Sequence, residues 1–174
     1  MKRILLSVVA LGAIAATTAS AQHVAFSLGA GGVVPRGIYS DYDNAGWHAL
    51  GAVEVGLPGS PLAVRGDFMY GETGHDPQSL LTGSTKLTGG TADLVYRLGA
   101  KGVPVRLYFL AGLGYYNVDV GGAKESKVAF GGGTGLSIGL ASAHLFMEGR
   151  WMSVETSGSA TTFMPVTLGM TFGL

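Results

Sequence analysis

Three observations predict an all-β chain, an eight-stranded antiparallel up-and-down transmembrane β-barrel. Apolar and polar residues alternate in eight segments of about ten residues. The connections between them are alternately long and short. Every charge inside a segment lies on the face opposite the large apolar residues. Composition agrees. The 174 residues are 47% hydrophobic and 13% charged, with 30 glycines and no cysteine. That length suits one domain, and so much glycine disfavours long soluble helices. Basic and acidic residues balance at 11 each, which leaves no field to gather nucleic acid, and no nucleic-acid partner is expected. The absence of cysteine excludes a disulfide framework and any thiolate metal or redox centre.

Residues 1–21 read as a secretory signal peptide. Lys2 and Arg3 precede an uncharged run from Ile4 to Ala16, and Ala19-Ser20-Ala21 supplies a small-x-small site. The run is shorter than the ~20 residues of a spanning helix. Cleavage is expected after Ala21, leaving residues 22–174 as the barrel domain.

The first strand is expected at Val24–Val33, with Val24, Phe26, Leu28 and Ala30 on one face. The second, Trp47–Leu57, sets Trp47, Ala49, Val53 and Val55 against His48, Ala52 and Glu54. The third, Leu62–Tyr70, sets Leu62, Val64, Phe68 and Tyr70 against Arg65, Asp67 and Met69. In the fourth, Leu87–Leu98, Ala92, Leu94, Tyr96 and Leu98 oppose Thr91, Asp93 and Arg97. The fifth, Val105–Val118, carries Leu107, Phe109, Ala111, Leu113 and Tyr115 against Arg106, Tyr108 and Tyr116. The sixth, Val128–Leu140, carries Phe130, Leu136 and Ile138 against a row of glycines. The seventh, Ala143–Val154, sets Leu145, Met147 and Trp151 against His144, Glu148 and Arg150. The eighth, Phe163–Phe172, sets Met164, Val166, Leu168, Met170 and Phe172 against Thr167, Gly169 and Thr171. Residues 35–45, 71–86, 119–127 and 155–162 read as long polar loops at one end. Residues 58–61, 99–104 and 139–142 read as tight turns at the other.

The strand charges are Glu54, Asp67, Asp93 and Glu148, and Arg65, Arg97, Arg106 and Arg150. Every strand cation is arginine, whose planar fork suits a crowded interior. Eight strands leave an interior just wide enough for side chains to fill it. The expectation is a lumen plugged by a charge network of these eight residues, with a lipid-facing exterior. Counting outward from the 58–61 turn pairs Glu54 with Arg65. The same count across 99–104 sets Arg97 opposite Arg106, so these two need an acid from elsewhere or water at the mouth. Gly112, Gly114, Gly131, Gly133 and Gly135 point inward, making room beside the large side chains. Trp47, Tyr70, Tyr115 and Trp151 lie outward near the long-loop ends, and Tyr96 and Phe172 near the other, as interfacial girdles do.

No catalytic residue, cofactor or metal site is expected. His48 points inward alone, and His23 and His144 lie at the other end. No nucleophile and base stand at matching spacing. Glu72, His75 and Asp76 could approach a metal, but a solvated loop explains them better. Asp41, Asp43 and Asn44 lack the distal carboxylate of a calcium loop. Gly29–Gly32 and Gly131–Gly133 lack the Lys-Ser/Thr ending of a phosphate cradle.

On these residues the chain resembles the small bacterial outer-membrane β-barrel family, the OmpA/OmpX-like eight-stranded barrels. The likeness is nearest in Gly46–Gly71, in Glu148-Gly149-Arg150-Trp151 and in Phe163–Phe172. The resemblance implies a bacterial outer-membrane location, a structural or surface-interaction role, and contact with outer-membrane lipid and lipopolysaccharide. It also implies insertion by the barrel-assembly machinery through Phe163–Phe172. Gly173 and Leu174 extend beyond the terminal Phe of that signal, so its anchor is either Phe172 or Leu174. A monomer is expected, with an extracellular partner of the long loops unknown. Some barrels of this size modify lipid A, and a soluble exported ligand-binding barrel is a third reading.

Overall fold

The computed structural model describes residues 23–75, 83–99, 103–140, 142–156 and 159–173. The signal-peptide expectation for 1–21 therefore lies outside the described residues, as do Asp76 and Leu174.

Period-two alternation folds into eight strands: β1 Val24–Arg36, β2 Gly46–Gly56, β3 Leu62–Gly74, β4 Ser84–Leu98, β5 Val105–Val120, β6 Ala123–Gly139, β7 Ala143–Thr156 and β8 Ser159–Phe172. Each pairs antiparallel with the next, and β1 pairs with β8 to close the barrel. Closure removes the unpaired edges that lipid could not satisfy.

The strands outrun their expected ends at one rim. Residues 119–127 are not a loop. β5 and β6 continue to a two-residue Gly121-Gly122 turn, with Val120 opposite Ala123. Both glycines have positive φ, +58° and +94°, the backbone of a type I′ hairpin. Asp119 Oδ1 accepts the Gly122 N–H at 3.0 Å. Residues 155–162 are likewise mostly strand, since β7 runs to Thr156 and β8 begins at Ser159. The loop reading took polar sequence for a connection. Ladder hydrogen bonds do not need apolar side chains, so pairing continues once both faces are wet. Among the described residues of this rim, the first connection, with its 3-10 turn at Gly37–Asp41, remains outside the ladder.

Two prolines sit where the ladder tolerates them. The β1–β2 pairing stops at Val33, so Pro35 is laddered on its β8 side alone. The β7–β8 pairing is interrupted between Val166 and Phe163, around Pro165, which has no N–H to give.

The outward faces form a continuous apolar belt. Phe26, Leu28, Phe68, Leu113, Val128 and Leu168 are each more than half exposed. Trp47 and Tyr70 pack at 5.7 Å between centroids near the long-strand rim, as do Phe130 and Trp151.

The inward faces pair bulk against glycine. Register places Met152 opposite Gly131, Arg150 opposite Gly133, Glu148 opposite Gly135, and Tyr116 opposite Gly89. A methyl at Gly133 would stand 2.9 Å from Arg150 Cγ, and one at Gly89 would stand 2.5 Å from Tyr116 Cγ. A lumen this narrow holds one large side chain per level only if its neighbour has none.

Candidate functional site in the barrel lumen

The middle of the lumen is an ionic cluster built from same-face pairs two residues apart. β3 supplies Arg65 and Asp67, β4 supplies Thr91 and Asp93, and β7 supplies Glu148 and Arg150. Arg65 Nε donates to Asp67 Oδ1 at 2.7 Å. Its Nη1 crosses the lumen to Glu148 Oε2, also at 2.7 Å. Arg150 donates through Nε to Glu148 Oε1 at 2.6 Å and through Nη1 to Asp93 Oδ2 at 3.0 Å. Its Nη2 donates to Asp67. Tyr108 of β5 donates its hydroxyl to Glu148 Oε2 at 2.8 Å, and Thr91 donates to Asp93 Oδ2 at 2.8 Å. Arg65 also lies over the Phe146 ring, 5.9 Å from its centroid. Each of these charged groups is buried. Guanidinium forks satisfy several carboxylates at once, which makes such burial tolerable.

The expected Glu54–Arg65 pair does not form. The two are register partners across β2 and β3. The Arg65 side chain turns instead to Asp67 and Glu148, and Glu54 is held by Arg97 of β4. Inside a closed cylinder a long arginine reaches acids on several walls, so backbone register alone does not choose its partner. Arg97 and Arg106 do not face each other either. Arg97 stands opposite Tyr108, and Arg106 opposite Ser137. The acid that Arg97 needed is Glu54.

Toward the long-strand rim the lumen carries hydrocarbon in place of charge. Val33, Met69, Leu87, Tyr116, Met152 and Phe163 form a buried cluster there. Burying each large apolar side chain contributes roughly 1.5–3 kcal/mol relative to exposure. Parity signalled this layer, because Met69 and Tyr116 share a face with Asp67 and Gly114. Phe163 shares the face of Thr167 in the same way.

A second polar group latches the rim. Asp43 follows the 3-10 turn and forms an isolated bridge with His75. Its Oδ1 meets His75 Nδ1 at 2.7 Å and its Oδ2 accepts from Thr73 at 2.5 Å. Tyr39 shares a 2.5 Å hydrogen bond with Thr73. Burial, aided by the Asp43 carboxylate, holds the Tyr39 phenol well above the usual tyrosine range. A crevice of about 180 Å³ beside it is lined by Ile38, Tyr39, Tyr42, Val118 and Val120. Sequence reading missed this latch, because residues about 30 apart carry no local signal.

His48 Nε2 meets Thr167 Oγ1 at 2.8 Å, but both residues are sealed from solvent, so no substrate reaches the hydroxyl. Among the described residues no three His, Asp or Glu side chains converge as metal ligands. Glu72 faces outward, accepting from Ser84 at 2.5 Å, while His75 turns inward to Asp43.

No known family profile matches the chain, and no curated protein matches it in sequence. Solved structures do. Neisserial surface protein A is 16% identical with a TM-score of 0.68, covering 87% of this chain and 97% of its own. The N-terminal β-barrel domain of Pseudomonas aeruginosa OprF is 18% identical with a TM-score of 0.51, covering 85% and 97%. The chain has the fold of the small eight-stranded outer-membrane barrels.

Proposed function

We propose that the chain is an integral outer-membrane barrel, exported by residues 1–21 and cleaved after Ala21, with a structural or surface-interaction role and no catalysis. The observation that carries this is the exposed apolar belt, which runs around the strands. A soluble monomer rarely exposes contiguous apolar surface beyond a few hundred Å². Acyl chains cover such a belt without penalty, and the aromatic pairs near the rim suit a headgroup boundary. Outer-membrane lipid and lipopolysaccharide are then the immediate surroundings. The barrel acts as a monomer, and Phe163–Phe172 is the segment read by the assembly machinery. Recognition falls to the long-strand rim, where the Gly121-Gly122 hairpin and the latched first connection project.

Fractionation tests the reading. The protein is expected in the outer-membrane fraction, with a gel mobility that changes on boiling. Release in a detergent-free periplasmic extract would refute it. Lipid A from expressing cells is expected to keep its mass spectrum, and a changed acylation pattern would instead favour a lipid-modifying enzyme.

A further inference from the structure

The short-turn end of the lumen opens into a basin of about 830 Å³. Its charge comes from Glu54, Arg97 and Arg106, and Leu57, Pro58 and Pro61 form an apolar ledge. The balance is cationic. Glu54 is taken by Arg97 Nη2. The Arg97 guanidinium keeps further donors for a ligand, and its side chain remains 21% exposed. Arg106 is exposed and has no ion pair among the described residues. Its stem lies across Gly99, where a methyl would stand 3.0 Å from Arg106 Cγ. His23 lines the same basin, and among the described residues no second carboxylate does.

We propose that this mouth binds a phosphate oxyanion, with Arg106 as its main donor and Arg97 as the second. Two guanidinium forks lining one concave, partly apolar basin supply the planar donor geometry that phosphate takes. The Glu54 pair holds Arg97 in position and stops the two cations from collapsing onto one acid. The phosphate comes either from a soluble compound or from an anionic lipid headgroup at the same mouth.

The test is ¹⁵N NMR of arginine Nε signals in the folded barrel, in maltoside micelles at constant ionic strength. Titrating inorganic phosphate is expected to shift Arg106 and Arg97 saturably while Arg65 stays still. Arg106→Gln is expected to weaken binding about tenfold or more. Arg106→Lys, which keeps charge without the fork, falls between the two. Lys124→Gln, on the opposite rim, binds as the unaltered protein does. A second arm uses nanodiscs without added phosphate. Shifts in phosphatidylglycerol but not phosphatidylcholine identify the headgroup as the source; shifts with inorganic phosphate alone identify a soluble one. Non-saturating shifts, or no shift at Arg106 in either arm, overturn the proposal.

Discussion

Arg65 of β3 and Glu148 of β7 meet at 2.7 Å across the lumen, from strands four places apart in an eight-stranded ring. Glu148 takes a further bond from Arg150 and one from Tyr108, so a single carboxylate ties β3, β5 and β7 together.

Glu148→Ala is expected to destabilise the barrel by about 3–5 kcal/mol, because it takes one buried carboxylate partner from both Arg65 and Arg150. Glu148→Gln should cost less, since it keeps the volume and one acceptor. Urea unfolding in lipid vesicles measures both. A loss for Glu148→Ala within the noise of a surface substitution would mean the lumen is wet enough to solvate both arginines.

Glu54 couples to Arg97 and not to Arg65. A double-mutant cycle on Glu54→Gln and Arg97→Gln is expected to give a coupling of roughly 0.5–3 kcal/mol. The cycle on Glu54→Gln and Arg65→Gln should come out nearly additive. The reverse order would restore the register-based pairing.

Gly135→Ala places a methyl 2.3 Å from both Cζ and the hydroxyl oxygen of Tyr108. Overpacking of this kind costs about 1–3 kcal/mol. Combining it with Tyr108→Leu should cost less than the two changes summed, read as the boiling-shift midpoint on gels. Strict additivity would show that the ring moves aside freely.

Leu113 is 65% exposed on the outward face of β5. Leu113→Arg is expected to destabilise the inserted barrel by about 2–4 kcal/mol. The same substitution at His23, at the chain's aqueous end, should be nearly neutral. Equal effects would contradict a lipid-facing belt.

The apolar layer around Met152 and Phe163 is buried inside the lumen below the rim. Purified protein in planar bilayers is expected to give no step conductance in potassium chloride. Stable porin-sized steps would show that this layer is not the resting state.

The legible parts of the sequence were those with a local period. Eight strands, their inward and outward faces and the glycine rows follow from alternation, because side chains on a strand change face at every residue. The inward placement of Asp67 and Arg150 was readable for that reason. Residues 119–127 were misread because polarity was taken for irregularity, although the Gly121-Gly122 pair is itself a hairpin signal. The Asp43–His75 latch could not be read, since nothing in either stretch announces the other.

By itself the chain determined the number of strands and which side of each would be greasy, since both depend on neighbours two residues apart. Tertiary structure decided which acid each arginine holds, how far the strands outrun the apolar belt, and where charge gives way to hydrocarbon inside. Those outcomes depend on how closure staggers the strands and brings opposite walls within one arginine's reach, a distance that no local pattern encodes.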